Sequence, residues 1–202
     1  MARQPLDAEL QQADLQALAR CHRLCLPGTA SSRAGLSVLE DLYAALFADP
    51  AAHVVWDRGP DHAPHHGAFA AGTIRYRETE AHTRRSLSKT NFARLALRAM
   101  SMPRHVLARR RWESLIPHDR IGYVLTLGVA SAVVEASNTR RGAALLADLE
   151  RWFAASGVAA SFVDTELSNH RAHAFYVRAG YVEVSRDYGQ VLLQKPLHSV
   201  PG

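Results

Sequence analysis

Apolar residues along this chain follow two spacings that alternate from segment to segment. In ADLQALARCHRLCLPG, Asp14 stands ahead of Leu15, Leu18, Ala19 and His22, one stripe of a helix that a Pro-Gly pair stops. GLSVLEDLYAALFADP repeats the helical spacing with Leu39, Leu42, Tyr43 and Leu46. AHVVW and AFAAGTIRY read as strands, and the polar stretch DRGPDHAPHHG between them reads as the loop of a hairpin. In IGYVLTLGV the alternation places Ile121, Tyr123, Leu125, Leu127 and Val129 on one face of a strand. A helix beginning near Arg140 follows, with Leu145, Leu149, Trp152 and Phe153 on its buried stripe. VAASFVDTE is another strand. NHRAHAFYVRAG is a short helix capped by Asn169 and closed by Gly180. YVEVSRD and QVLLQKPL make a final hairpin.

The C-terminal half therefore runs strand, helix, strand, helix, strand, strand. A strand–helix–strand unit implies parallel neighbours, whereas the hairpins are antiparallel. The expected class is α/β in the α+β sense: a central, mostly antiparallel sheet, one parallel pair near Leu127 and Val163, and flanking helices. Residues 1–202 are expected to form one domain. A basic helical insert at about 84–112 interrupts it. Between Arg84 and Arg111 stand nine Arg or Lys residues and no Asp or Glu. Leu87, Phe92, Leu95, Ala96 and Ala99 suggest an amphipathic helix there, broken near Pro103. This segment either lines an acceptor site, holds a phosphate, or is the wet face of a packed helix. A nucleic-acid surface would interleave aromatics with the charges, and only Phe92 and Trp112 do so.

Composition narrows the classes further. Of 202 residues, 48% are hydrophobic, enough for a substantial core, and the net charge of +5 permits an acidic ligand or nucleic acid without choosing between them. Cys21 and Cys25 lie four apart on one helical face with no second ligand group at zinc spacing, so they read as reduced, packed thiols. The opening MARQPLDAEL lacks the apolar core of a signal peptide, and YVLTLGVASAVV is too short to span a bilayer. A cytoplasmic protein with no membrane partner is expected.

The stretch NTRRGAALLADLERWF carries the candidate chemistry. A helix start has unpaired N–H groups and partial positive charge, glycine admits a close approach, and arginine matches phosphate with forked donors. No Gly-Lys-Ser/Thr phosphate loop and no G-x-G-x-x-G accompany it. The remaining common anion is the pyrophosphate of coenzyme A.

The residues LTLGV…TRRGAALLADLERW…FVDTELSNHRAHAFYVRAGYVEV resemble the GNAT superfamily of acetyl-CoA-dependent N-acetyltransferases. Its Gln/Arg-x-x-Gly-x-Gly/Ala loop corresponds to Thr139, Arg140, Arg141, Gly142, Ala143 and Ala144. Its Asn-x-x-Ala-x-x-Phe-Tyr motif, followed by Gly-Phe/Tyr, corresponds to Asn169, Ala172, Phe175, Tyr176, Gly180 and Tyr181. The resemblance implies that residues 139–144 hold the pyrophosphate. It implies that pantetheine runs along Leu127, Gly128 and Val129 and meets Asn169 and Ala172, and that Tyr176 protonates the departing thiolate. Gly128 otherwise reads as a simple bulge. Two departures stand out: Thr139 replaces the usual Gln or Arg, and the loop from Val129 to Gly142 is longer than usual.

The expected activity is transfer of an acyl group from acetyl-CoA, or another acyl-CoA, to an amine, with no metal. The acceptor is a small molecule or a protein, compatibly an acidic one. Nucleic acid is not expected, and a homodimer is allowed. The alternative is a catalytically silent acyl-CoA-binding module of the same fold. No general base is readable: Asp164 and Glu166 share a strand face near the expected cleft, but a solvated strand end looks the same. His62, His65 and His66 in the hairpin loop read as solvated histidines rather than a metal site.

Overall fold

The computed structural model describes residues 12–59, 64–112, 115–116, 121–130 and 135–197. Three helices open it: α1 (Gln12–Cys25), the short α2 (Ala30–Ala34) and α3 (Leu36–Ala48). Strands β1 (Ala52–Asp57) and β2 (Ala68–Thr73) form the first hairpin, in register from Ala52↔Thr73 to Asp57↔Ala68. Then come α4 (Tyr76–Ser86), α5 (Lys89–Met100), α6 (Pro103–Trp112) and β3 (Ile121–Val129). Helix α7 (Glu135–Ala155), β4 (Ala160–Glu166), α8 (His170–Arg178), β5 (Val182–Asp187) and β6 (Gln190–Pro196) complete the order. The six strands form one sheet, β1-β2-β3-β4-β6-β5, in which only β3 and β4 are parallel. This is the mixed, mostly antiparallel α/β class that the element order implies.

The sheet is covered on both faces. Helix α7 lays Leu145, Leu146, Leu149 and Phe153 on one face, over Ala68, Ala70, Val124, Val163, Val191 and Leu193. It approaches closely because two glycines admit it. A Cβ at Gly122 would stand 2.5 Å from the Phe153 ring, and one at Gly72 would stand 2.7 Å from it. On the other face, α1 and α3 pack Leu18, Cys21, Tyr43 and Leu46 against Val54, Phe69 and Ala71. Farther along that face, α6 sets Ala108 and Trp112 against Ile121, Tyr123, Phe162 and Leu192.

One expectation about β3 is corrected here. Its pairing with β2 runs Ala71↔Thr126 and then Gly72↔Val124, which leaves Leu125 as an extra residue, a bulge. The bulge reverses the alternation. Ile121 and Tyr123 face α6, whereas Leu127 and Val129 face α7, so the five apolar residues do not share a face. A bulge adds one residue without altering the apolar/polar string, so the pattern does not record it.

The basic segment is not one helix with a single break. Leu87 is the buried C-cap of α4, and Ser88 caps α5 by accepting a hydrogen bond from the Asn91 amide. The second break falls before Pro103, as expected. Asn91, not Phe92, enters the interior: its Nδ2 donates to the Ser37 carbonyl and to Asp41, and its Oδ1 accepts from Ser37 Oγ. Phe92 is 45% exposed.

His22 generates a pH test. Its ring is buried, stacked on Phe69, with Nδ1 2.7 Å from the Tyr43 hydroxyl. Burial holds its pKa at about 4, below the ordinary 6.5. Folding therefore favours the neutral ring, and its contribution is complete above pH 6.5 and is lost as pH falls toward 4. Over that interval the protein should lose up to about 3 kcal/mol through this group. Urea unfolding at both pH values checks this. His22→Leu should lower stability at neutral pH yet flatten the slope, and an unchanged slope would refute the assignment.

Candidate active site

The site is built where β3 and β4 part. They pair only from Ile121↔Ala160 to Val124↔Val163. Beyond that, β3 stays bonded to β2 as far as Val129↔Ala68, and β4 stays bonded to β6 as far as Glu166↔Gln190. The inner edges of both strands are consequently open, beginning at the Leu125 bulge. Bulges bend a strand and increase its twist, which turns β3 away from its partner at this point. An open edge offers unpaired N–H and C=O groups to any extended, amide-bearing chain.

Gly128 lies on this edge and is not the bulge. A Cβ there would meet the Phe69 ring at 2.7 Å and Cys25 Cβ at 2.8 Å. Its smallness lets α1 and Phe69 close on the sheet. Cys21 and Cys25 are free thiols, the first buried and the second half-buried.

Helix α7 starts at Glu135, about five residues before the start expected near Arg140. The segment before Gly142 holds no proline or glycine, and Glu and Ala favour the helix, so propensity extends it backward. Thr139, Arg140, Arg141, Gly142, Ala143 and Ala144 therefore stand inside the helix. Arg141 is engaged by a residue the sequence did not suggest: its Nε and Nη2 both donate to Asp57 Oδ2, at 2.9 and 2.8 Å. Arg140 is exposed. Gly142 is buried and faces Val129 and Phe175, each 3.5 Å from where a Cβ would stand.

Helix α8 is capped as its sequence implies. Asn169 Oδ1 accepts from the Ala172 amide at 3.1 Å. At the other end the Gly180 and Tyr181 amides donate to the Val177 and Tyr176 carbonyls, with Gly180 at φ 93°. Between these caps, Ala172 sits one turn before Tyr176. The Tyr176 ring is buried, edge-on to Phe175 and Tyr181. Burial first, and the Asp164 charge second, push its phenol well above the usual tyrosine range.

Asp164 lies on β4 one residue past the last β3–β4 pair. The buried Tyr123 hydroxyl donates to its Oδ1 at 2.6 Å. Nothing in the spacing of residues 41 apart announces this contact. Glu166 accepts from Ser168 and faces a separate opening. That opening is a cleft of about 350 Å³ between the α5–α6 corner and the β5–β6 turn, lined among others by Met102, Arg104, Glu166, Ser168, Tyr188 and Gln190. Tyr188 and Gly189 form the two-residue hairpin turn, with φ of 52° and 80°. His65 and His66 lie with ring centroids 4.3 Å apart, and His62 is outside the described residues. Among the described residues no group of three or more His, Cys, Asp or Glu side chains could hold a metal, and no helix is long and apolar enough to cross a membrane.

A mixed sheet with a single parallel pair and flanking helices is the fold that the resemblance to the GNAT superfamily implies. Comparison with known proteins agrees. Residues 106–181 match the model of the Acetyltransferase (GNAT) family. Among solved structures, the aminoglycoside 6'-N-acetyltransferase from Enterococcus faecium is similar at TM-score 0.55 and 13% identity, over 95% of each chain. The ribosomal-protein-S18-alanine N-acetyltransferase from Escherichia coli is similar at TM-score 0.54 and 15% identity, over 96% of this chain and 94% of that one. A third, from Klebsiella pneumoniae, aligns over only 41% of this chain and 59% of its own. No curated protein matches. The family match over residues 106–181 bears out the resemblance to the GNAT superfamily, and the two whole-chain neighbours share its fold.

The turn at Tyr188 supplies a test. A side chain in the left-handed region costs on the order of 1–3 kcal/mol, which asparagine largely avoids. Tyr188→Asn should therefore raise stability by about 1 kcal/mol, visible as a higher Tm in a thermal melt. A lower Tm would mean that the ring's contacts outweigh the strain.

Proposed function

We propose that this protein transfers an acetyl or other acyl group from acyl-CoA to an amine at the parting of β3 and β4. The observation that carries the reading is that parting. Past it, β3 carries Leu127, Gly128 and Val129 on an open edge, β4 carries Asp164 one residue beyond the last pair, and the buried Tyr176 of α8 shares a core cluster with Leu127 and Val129. Acyl-CoA fits it: an amide-bearing pantetheine arm can pair with the free edge of β3, with Asn169 and Ala172 beside it. Arg140, and Arg141 once released by Asp57, would meet the phosphates. They do so from the side of α7, because the N–H groups of residues 139–144 are spent within the helix.

The chemistry then needs position and two proton transfers. The amine nitrogen attacks the thioester carbonyl carbon, the C–S bond breaks, and an amide forms. The amine proton passes to Asp164, which Tyr123 orients. The thiolate takes its proton from Tyr176. Burial keeps that phenol protonated through the pH range where an ordinary tyrosine begins to ionise, so the acid form persists as pH rises. A silent acyl-CoA-binding module would need no oriented carboxylate here, and the Tyr123–Asp164 contact favours the enzyme.

Two measurements test the reading. Replacing Arg140 and Arg141 by Ala should weaken CoA binding by about 1.5–3 kcal/mol per charged hydrogen bond lost, and leave a phosphate-free pantetheine fragment unaffected. Calorimetry with both ligands checks this, and unchanged CoA affinity would remove the two arginines from the phosphate site.

Proton donors and acceptors of this kind contribute roughly 10²–10⁴-fold to rate. Tyr176→Phe and Asp164→Asn should each fold normally and bind acetyl-CoA nearly as well as the parent. Each should lose at least about tenfold in kcat with an amine panel. Steady-state kinetics beside a thermal melt decides the matter. Full activity in either variant removes that residue from the mechanism, and a Tm loss matching the activity loss makes it a packing residue.

A further inference from the structure

The α5–α6 corner has surface that the transfer reaction does not use. On α5, Ala93, Leu97 and Met100 follow one another at helical spacing and face solvent, with Leu97 67% and Met100 76% exposed. Past the corner, Val106 and Leu107 on α6 are also exposed, at 38% and 43%. Basic side chains border this apolar strip. Arg94 and Arg98 are one helical turn apart beside it, and Arg104 and Arg110 continue it on α6.

Acidic side chains are missing where they would ordinarily balance such a row. From Ala81 to Trp112 the chain has no Asp or Glu. Like charges four apart on a helix repel by a few tenths of a kcal/mol. Among the described residues, Arg94 reaches Ser37 Oγ at 3.5 Å and makes no ion pair, and Arg104 makes none either. An apolar strip edged by one sign of charge complements a segment that is apolar along its centre and acidic at its borders.

The strip is continuous with the cleft. Ser101, Met102, Pro103 and Arg104 form the corner itself and one wall of the 350 Å³ opening. Glu166 stands on another wall, at the end of the strand that carries Asp164. A segment lying on the strip thus reaches the mouth of the cleft at Arg104, and Glu166 on its far wall stands two residues from Asp164 on the same strand.

Resting on the acyltransferase reading, we propose that the Leu97–Met100–Leu107 strip with Arg94, Arg98 and Arg104 docks an acidic polypeptide acceptor whose amine is acylated at the β3–β4 parting. The acceptor class is therefore a protein or peptide with acidic side chains near the acylated amine, rather than a small metabolite. Steering by this charge acts over roughly 10 Å at 0.1 M salt and fades above it.

The test uses the full chain, acetyl-CoA and three probes: a small amine panel, a synthetic peptide with a free α-amine and an Asp/Glu- and Leu-bearing tail, and its charge-neutral counterpart. Thiol release gives kcat and KM, and fluorescence anisotropy gives peptide binding. The acidic peptide should show a KM about tenfold or more below the neutral one, an advantage that high salt erases. Arg94→Glu with Arg98→Glu, and separately Leu97→Ser with Met100→Ser, should remove that advantage and leave small-amine turnover and CoA affinity unchanged. Equal KM values for the two peptides, or charge-reversed protein that keeps the preference, overturns the proposal and leaves the acyltransferase reading standing. If no probe is acylated, that reading fails by itself, and anisotropy still decides the docking surface. Binding of phosphatidylserine vesicles, lost on charge reversal, with no peptide preference assigns the strip to a membrane and overturns it.

Discussion

The separation of two parallel strands organises this molecule. β3 and β4 hold each other for four residue pairs and no more. Each is then gripped on its outer side, β3 by β2 and β4 by β6, so the sheet stays whole while its middle opens. The Leu125 bulge is the local cause. It adds one residue to β3 at the position where pairing with β4 ends. The same residue turns Leu127 and Val129 toward α7 and gives that helix its packing surface. Opening the cleft and seating the helix are consequences of one insertion.

Around the opening, rigid elements supply the side chains. α8 is fixed at both ends, by the Asn169 cap and the Gly180 closure, so Tyr176 is held in place rather than carried on a loop. Asp164 is carried on a strand that remains fully paired on one side, and Tyr123 donates to it across the opening. Under the proposed function such a shell is preorganised, because its side chains are already fixed before a substrate arrives. The arginines of α7 are less committed. Arg141 is shared with Asp57, whose carboxylate is half exposed, so a phosphate arriving there can compete for it.

The basic helices belong to the fold and also exceed it. Trp112 is fully buried and donates from Nε1 to Asp187, which ties α6 to β5. Asn91 ties α5 to α3. These anchors spend the polar Asn91 in the interior and leave Phe92, Leu97 and Met100 outside, an inversion of the usual arrangement. An inward amide with several partners outweighs one aromatic, because leaving those partners unsatisfied costs about 1–3 kcal/mol each.

The sequence alone determined what depends on neighbours along the chain. Periodicity placed all six strands and the order of the main helices. Asn169 and Gly180 marked the ends of α8, because caps and left-handed closures are written within a few residues. The Asn-x-x-Ala-x-x-Phe-Tyr spacing pointed to the GNAT superfamily for the same reason. The tertiary structure alone decided what depends on strands meeting. The bulge at Leu125 exists only against β2, and an apolar string reads the same with or without it. The backward extension of α7 reflects helix propensity through residues that motif spacing had placed in a loop. Arg141 with Asp57, and Tyr123 with Asp164, join residues 84 and 41 positions apart, and no local pattern encodes such contacts. Their partners are chosen by where the sheet and helices bring two side chains within hydrogen-bond reach.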